Sequence, residues 1–289
     1  MNPLIHLGLW LAIPASFWVS GGDHDKDVTQ KEEITKTLHF TESGHRKFLL
    51  DNFSGYVKVT GGTGNDVVLI AHKTIRAESD RKAAQAKEEV TLETKEEPDR
   101  VMLYVDAPWR DRNGNCNYHG YDYYGYEVEY DFEVQVPSKT DFILRTTNNG
   151  DVEVNGLEGE FTVENVNGKI TMHDIAGSGK VSTVNGGIKA TFRENPDGET
   201  SFKTINGNLD VAFPDNLSAD LKLKTFNGEV FSDYSVTSLP QTFQTVEGQS
   251  RHGRVYRKSD SFSVRVGSGG PKLSFDTLNG NIYIVKNEH

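Results

Sequence analysis

The sequence predicts an all-β protein built as a single-chain parallel β-helix, a solenoid whose coils are each 18–21 residues long. Three observations support this prediction. The pattern Thr–apolar–Asn–Gly–x–aliphatic occurs, with small variations, six times. Apolar and polar residues alternate on both sides of it, as they do in strands with one buried face. The chain also has 28 glycines but only 9 prolines, which is typical of strands joined by turns.

The spacing of this pattern distinguishes a hairpin from a coil. A single Asn–Gly pair between apolar runs is typical of a two-residue β-hairpin. Here successive pairs are separated by 18, 18, 21, 21 and 52 residues, and a near-constant period is typical of stacked repeats. The pairs are Asn149 and Gly150, Asn167 and Gly168, Asn185 and Gly186, Asn206 and Gly207, Asn227 and Gly228, and Asn279 and Gly280.

We expect each Asn–Gly pair to form the same bend on successive coils. Both residue types tolerate a positive φ, which a tight bend requires. Stacked asparagine side chains can also hydrogen-bond from one coil to the next. The alternative is that these asparagines bind a ligand. A structural ladder is favoured because the pair recurs at the same place in every coil.

The residues before the regular coils predict further elements. In chain order these are a degenerate copy of the repeat at 52–59, an apolar strand at 67–70, a short helix at 79–89 with Ser79 or Asp80 as N-cap, and a hairpin of 90–94 with 101–105. Residues 126–136 then alternate strictly, with Tyr126, Val128 and Tyr130 beginning one face, which predicts a long half-buried strand. Pro137 ends that strand.

The chain divides into three predicted parts. Residues 1–21 form a signal peptide, 22–44 a mature N-terminal segment, and 45–289 the β-helical domain, with 233–271 as an insertion before the last coil. Residues 4–19 are apolar apart from His6 and Ser16, and a charged segment follows at once, as in signal peptides. The alternative is an uncleaved anchor. No second apolar stretch approaches 18 residues, so we expect no membrane span in the mature chain and a secreted or periplasmic location.

Charge and residue types exclude several classes of partner. The formal net charge is −11, which disfavours nucleic acid as a partner. The nine histidines are scattered without the spacing of a zinc site, so we expect neither a metal nor a cofactor. The lone Cys116 excludes an internal disulfide, and we expect it to be buried or inert rather than paired between chains.

Enzymatic activity is an alternative because parallel β-helices also carry carbohydrate-active enzymes. A glycosidase needs two nearby carboxylates. The outward positions after each Asn–Gly pair instead predict neighbours of mixed or opposite charge, such as Asp151 over Lys169 and Lys189 over Asp210. This is typical of a solvated surface, and we expect no catalysis.

A tyrosine-rich segment at 118–126 is unusual for a simple scaffold. Aromatic residues separated by glycines can form a platform for sugar rings or for a protein surface. The candidate binding residues are Tyr118, Tyr121, Tyr123 and Tyr124. The alternative is that these tyrosines cover one open end of the solenoid and protect its strand edges.

From about Leu49 to the C-terminus, the sequence resembles an adhesin-like family of bacterial exported β-helical domains, domain of unknown function 4097. The repeated pattern and the strand that ends in Val136 and Pro137 carry the resemblance. It implies a fold and a cell-envelope location but brings no catalytic residues. The insertion at 233–271 and the tyrosine-rich segment depart from the simplest family pattern. We therefore expect a non-catalytic surface-binding, adhesin-like or structural module that contacts an envelope glycan or protein. The alternatives are a carbohydrate-active enzyme and a component of an envelope stress response.

Overall fold

The computed structural model describes residues 28–42, 44–111, 116–240, 245–250, 253–256 and 261–287. The expected signal peptide at 1–21 lies outside these residues. The described chain is all-β, with two large sheets that each contain parallel and antiparallel pairs. Neither helix among the described residues has the length and apolar character needed to cross a membrane.

The elements of the N-terminal half precede and begin the repeat. They are β1 Val28–His39, β2 Lys47–Asp51, β3 Val57–Gly62, β4 Asp66–Ala77, α1 Asp80–Glu89, β5 Thr91–Glu97, β6 Arg100–Asp106, α2 Tyr121–Tyr124, β7 Tyr126–Pro137, β8 Asp141–Arg145 and β9 Val152–Asn155.

The elements of the C-terminal half continue the repeat or lie within the insertion at 233–271. They are β10 Phe161–Glu164, β11 Ile170–Ile175, β12 Gly179–Ser182, β13 Ile188–Phe192, β14 Thr200–Asn206, β15 Leu209–Phe213, β16 Ala219–Asn227, β17 Val230–Ser232, β18 Val236–Ser238, β19 Thr245–Ser250, β20 Gly253–Tyr256, β21 Phe262–Val266, β22 Lys272–Asn279 and β23 Ile282–Lys286.

In every repeat the chain passes from a strand of one sheet to a strand of the other. The first sheet has the order β1-β4-β7-β3-β9-β11-β13-β15-β23-β17, and the second has β18-β21-β16-β22-β14-β12-β10-β8-β2-β6-β5. One strand of the second sheet, an Asn–Gly bend and one strand of the first sheet together make what we call a coil. Coils pair in parallel and in register, so Val152 lies opposite Ile170, and Ile170 opposite Ile188.

The core lies between the sheets because every second strand residue points inward. Aliphatic side chains such as Val163, Val181 and Val211 are almost completely buried, as the alternation predicted. Phenylalanines fill the wider space, with Phe192 stacked on Phe213 at 4.9 Å between ring centroids and Phe202 on Phe275 at 5.2 Å. Burial of these alternating faces against each other holds the coils together.

The last coil in sequence is not the last coil in space. We expected β22 and β23 to end the stack, but β22 lies between β14 and β16, and β23 lies between β15 and β17. Phe275 is therefore opposite Phe202 on one side and Leu223 on the other. The chain leaves β17, passes through residues 233–271 and returns to insert its final coil. The 21-residue spacing from Asn206 to Asn227 thus hides a gap of one coil.

Antiparallel strands and a helix complete the other end. β4 pairs with both β1 and β7, so residues 28–39 of the expected mature N-terminal segment form a strand that the sequence had not indicated. The predicted helix, hairpin and alternating strand are confirmed as α1, β5–β6 and β7, and Ser79 is the N-cap of α1. Ala83 and Ala86 of α1 are buried, and Lys73 donates to the carbonyl of Val90 at 2.6 Å.

Candidate functional site

The asparagines of the repeat form a continuous side-chain ladder. On each coil an Nδ2 atom donates to the Oδ1 atom of the preceding coil: Asn185 to Asn167 at 2.9 Å, Asn206 to Asn185 at 2.8 Å, Asn279 to Asn206 at 2.8 Å and Asn227 to Asn279 at 2.7 Å. At the first coil the partner of Asn167 is Asn148 at 3.3 Å, not Asn149 as the sequence suggested. Asn149 is an extra residue with a φ of 49°.

The glycines of the repeat are required for close approach, and of the six only Gly207 has the positive φ that the bend was expected to need, at 158°. Gly168 and Gly186 do not have a left-handed φ. A Cβ on Gly186 would lie 2.1 Å from the carbonyl oxygen of Gly168. That same oxygen accepts a hydrogen bond from the buried hydroxyl of Thr183 at 3.0 Å. The repeated Thr and Gly thus serve one contact, in which backbone meets backbone and the hydroxyl satisfies the carbonyl.

The outward columns beside the ladder carry opposite charges, as the sequence predicted. Lys189 lies opposite Asp210, and Lys169 lies 3.6 Å from Asp151. These pairs are exposed, so each contributes little stability. Among the described residues, no group of three or more His, Cys, Asp and Glu side chains could hold a metal ion. We expected Cys116 to be buried or inert; it is exposed, so the first of these two states is wrong.

The tyrosine-rich segment packs beside β7 and around Trp109. Tyr118 and Tyr124 stack on each other at 5.7 Å, and their rings lie 4.9 and 4.8 Å from that of Trp109. Both tyrosines are partly buried against the core. Tyr121 is half-buried at the start of α2, whereas Tyr123 is 69% exposed. The four candidate residues therefore divide into packed members and one outward-facing ring.

A short helix fixes this arrangement. Gly125 ends α2 with a φ of 70°, and its N–H donates to the carbonyl of Tyr121 at 2.7 Å. Lys82 of α1 donates to the carbonyl of Tyr124 at 2.6 Å. These hydrogen bonds attach the tyrosine-rich segment to α1. The segment lies beside α1, and α1 covers the end of the core.

A cavity of about 70 Å³ opens next to this cluster, and we call it the aromatic pocket. Aromatic, acidic and amide side chains line it, among them Phe53, Trp109, Tyr118, Glu127, Glu129 and Asn148. Among the described residues, the buried indole N–H of Trp109 has no hydrogen-bond partner. The pocket therefore combines ring faces with polar groups that can bind hydroxyls.

The two acidic residues of the pocket differ in environment. Glu127 accepts a hydrogen bond from Arg76 at 2.7 Å and forms an ion pair with it. Partial burial, together with repulsion by Asp131, raises the pKa of Glu129 above its ordinary value. Apart from the tyrosines, no sequence pattern predicted this pocket. In the sequence, Glu127 and Glu129 are part of the polar face of an alternating strand. Trp109 lies in a turn that is distant from both along the chain.

The family model described as Toastrack DUF4097 matches residues 50–269. No curated protein sequence matches the chain at a significant level. Three solved structures are similar over most of their length. A candidate cell adhesion protein from Clostridium sporogenes is 12% identical, with 89% of this chain and 100% of that chain covered and a TM-score of 0.43.

The other two structures are more distant. A candidate adhesin from Bacteroides fragilis is 10% identical, with 88% and 97% covered and a TM-score of 0.37. A candidate lipid-binding protein from Parabacteroides distasonis is 9% identical, with 89% and 97% covered and a TM-score of 0.25. Similarities at this level carry no argument about function. The family model, by contrast, covers well over half of the sequence, and the chain belongs to the Toastrack DUF4097 family.

Proposed function

We propose that this protein is an exported, non-catalytic binding module of the bacterial cell envelope that contacts a glycan through the aromatic pocket and Tyr123. The stacked coils, interpreted as a parallel β-helix, serve as a rigid elongated scaffold that presents this surface. The apolar run at 4–19 supports export, and the acidic surface is consistent with an extracytoplasmic protein.

The observation that carries the proposal is the composition of the pocket. Sugars present apolar C–H faces and hydroxyl edges, so aromatic rings beside carboxylates and amides complement them. Tyr118 supplies a partly exposed ring that packs on the buried ring of Trp109, and Glu129 and Asn148 supply acceptors and donors. The exposed Tyr123, with its ring 4.8 Å from that of Tyr124, extends the aromatic surface outward. Such a ring can stack on the next sugar of a chain.

The same geometry argues against bond cleavage. Glycosidases place their two carboxylates on opposite sides of the scissile bond. Glu127 and Glu129 lie two residues apart on one face of β7, and Glu127 is occupied by Arg76. A cavity of about 70 Å³ is also well below the roughly 300–1,000 Å³ of enclosed small-molecule sites. A cavity of this size can bind one edge of a sugar unit within a polysaccharide chain.

Binding to purified envelope polysaccharide and peptidoglycan fragments tests the proposal. We expect saturable binding by the wild type. The affinity should fall about tenfold in Tyr123→Ser and in the isosteric Glu129→Gln. Phe226→Ser and Glu160→Gln, which change an exposed aromatic and an exposed acid elsewhere, should bind like the wild type. Equal binding by all variants would exclude this surface, and release of new reducing ends would overturn the non-catalytic assignment. Capture of a protein instead of a glycan would replace the proposed ligand.

A further inference from the structure

An exposed apolar stripe runs along the solenoid beside the asparagine ladder. Each of its members directly precedes a ladder asparagine, so the strand register places one on every coil. In spatial order these positions hold Thr147, Val166, Val184, Ile205, Leu278 and Phe226. Thr147, which is polar, and Val184 are half-buried, and the other four are exposed. At about 4.8 Å per coil the stripe is about 24 Å long. The side chains enlarge toward the coil of β16, which ends the stack of parallel coils.

The large end of the stripe is the most exposed. Phe226 is 71% exposed, Leu278 46% and Ile205 38%. These three side chains line a groove of about 270 Å³, together with Lys203, Lys224 and Asp276. Single exposed apolar residues are normal on a surface, but a contiguous group beside a groove is typical of an interaction site.

The charge beside the groove has the opposite sign to that of the whole chain. Lys224 lies 3.7 Å from Asp276, and among the described residues Lys203 and Lys222 have no carboxylate within ion-pair distance. Asp220, the next acid along β16, is bound by Arg265 at 2.7 Å. The groove thus keeps a local positive excess on a chain with a net charge of −11.

We propose that this apolar and basic patch docks on the surface of an anionic phospholipid bilayer. Phe226, Leu278 and Ile205 would enter the boundary between headgroups and acyl chains, where aromatic and aliphatic side chains are stabilised. Lys203 and Lys224, which line the same groove, would contact lipid phosphates. A second copy of the chain fits less well, because a two-fold interface would bring the same lysines against each other.

Co-sedimentation of the exported protein with vesicles tests this inference. We compare phosphatidylcholine vesicles with vesicles that also contain about one third phosphatidylglycerol. The expected result is partitioning about tenfold stronger on the anionic vesicles. Any apolar segment left at the N-terminus would insert into both vesicle types, so the ratio between them reports the patch.

Variants separate the two contributions. Phe226→Ser with Leu278→Ser should lower partitioning about tenfold, and Lys203→Gln with Lys224→Gln should abolish the preference for anionic lipid. Tyr123→Ser, which changes a similarly exposed aromatic in the other candidate site, should leave both unchanged. Unchanged melting curves verify that the variants fold. Equal partitioning of all variants would overturn the inference, as would a concentration-dependent dimer that Phe226→Ser dissociates. Neither result bears on glycan binding at the aromatic pocket.

Discussion

The side-chain Nδ2 atom of Asn185 lies 2.9 Å from Oδ1 of Asn167 on the neighbouring coil. On its other side, Oδ1 of Asn185 accepts from Asn206 at 2.8 Å. Asn185 therefore uses both ends of its amide along the axis of the stack. This pair of hydrogen bonds explains why the repeat has an amide side chain at an exposed position. It also makes the ladder part of the architecture.

Replacing Asn185 with Ala should lower the free energy of unfolding by about 1 kcal/mol. The change removes two hydrogen bonds, but the neighbouring amides are exposed and can bind water, which limits the cost. Urea denaturation measures the effect. Lys180→Ala, an exposed change in β12 of the same coil, is the control and should fall within about 0.5 kcal/mol of the wild type. An unchanged midpoint for Asn185→Ala would mean that the ladder contributes nothing to stability.

Two adjacent glycines should respond very differently to alanine. A Cβ at Gly186 would lie 2.1 Å from the Gly168 carbonyl oxygen, whereas at Gly187 the nearest atom would be 3.3 Å away. Gly186→Ala must push two coils apart, so we expect a loss of about 3 kcal/mol or more. Gly187→Ala should cost about 1 kcal/mol or less. Thermal melts of both variants check this, and similar melting temperatures would refute the close stacking of the glycine column.

Tyr118 and Tyr123 should differ in how much each contributes to stability, because we assign a structural role to Tyr118 and a binding role to Tyr123. Tyr118 has its ring within 5.0 Å of those of Phe53 and Trp109, so Tyr118→Ser should cost about 2 kcal/mol. Tyr123 is mostly exposed, so Tyr123→Ser should cost less than about 0.5 kcal/mol. Circular dichroism during thermal unfolding provides the comparison. If Tyr123→Ser melted as early as Tyr118→Ser, the whole segment would be a structural cover.

The buried Lys73 should give the protein an alkaline stability window. Burial lowers the pKa of Lys73 to about 8, although Glu32 opposes the shift. The folded-state pKa lies below the unfolded value of 10.5, so between pH 8 and 10.5 the unfolded chain binds more protons. Folding gains stability as pH rises through that window. The buried tyrosines Tyr126 and Tyr130 have raised pKa values, so they oppose this gain above about pH 10.

Comparison with Lys73→Met isolates the lysine contribution, since the tyrosines remain in both proteins. Between pH 8 and pH 10 the free energy of unfolding of the wild type should rise by about 2 kcal/mol relative to the variant. Chemical denaturation at intervals of half a pH unit measures the difference. Parallel curves for the two proteins would show that Lys73 titrates normally.

Sequence reasoning worked where a signal repeats or is local. Alternation in residues 126–136 placed the faces of β7, and Ser79 marked the start of α1. The Asn–Gly period placed the bends, because stacking imposes the same residues on every coil. The expectation that the repeat glycines provide a positive φ was wrong for all but Gly207. A close backbone contact between coils and a turn both favour glycine, so the sequence does not distinguish them.

The remaining features depend on contacts between distant parts of the chain. The spacing of the Asn–Gly pairs could not predict that β22 inserts between β14 and β16. Coils with the same repeat pattern can pair equally well in several orders. The strand β1 is polar along much of its length and lacks a strong alternating pattern. The aromatic pocket joins Trp109 to Glu127, Glu129 and Asn148, which belong to separate elements. Only the tyrosines signalled that region in advance.

Trp109 provides the most direct measurement of the central claim, that the aromatic pocket binds an envelope glycan. Once residues 1–21 are removed, Trp109 is the only tryptophan in the chain. We predict that adding purified glycan fragments changes its fluorescence saturably and that Glu129→Gln shifts the midpoint about tenfold, while Glu160→Gln does not. A tryptophan signal that stays constant across the titration, while the protein remains folded, would contradict the account.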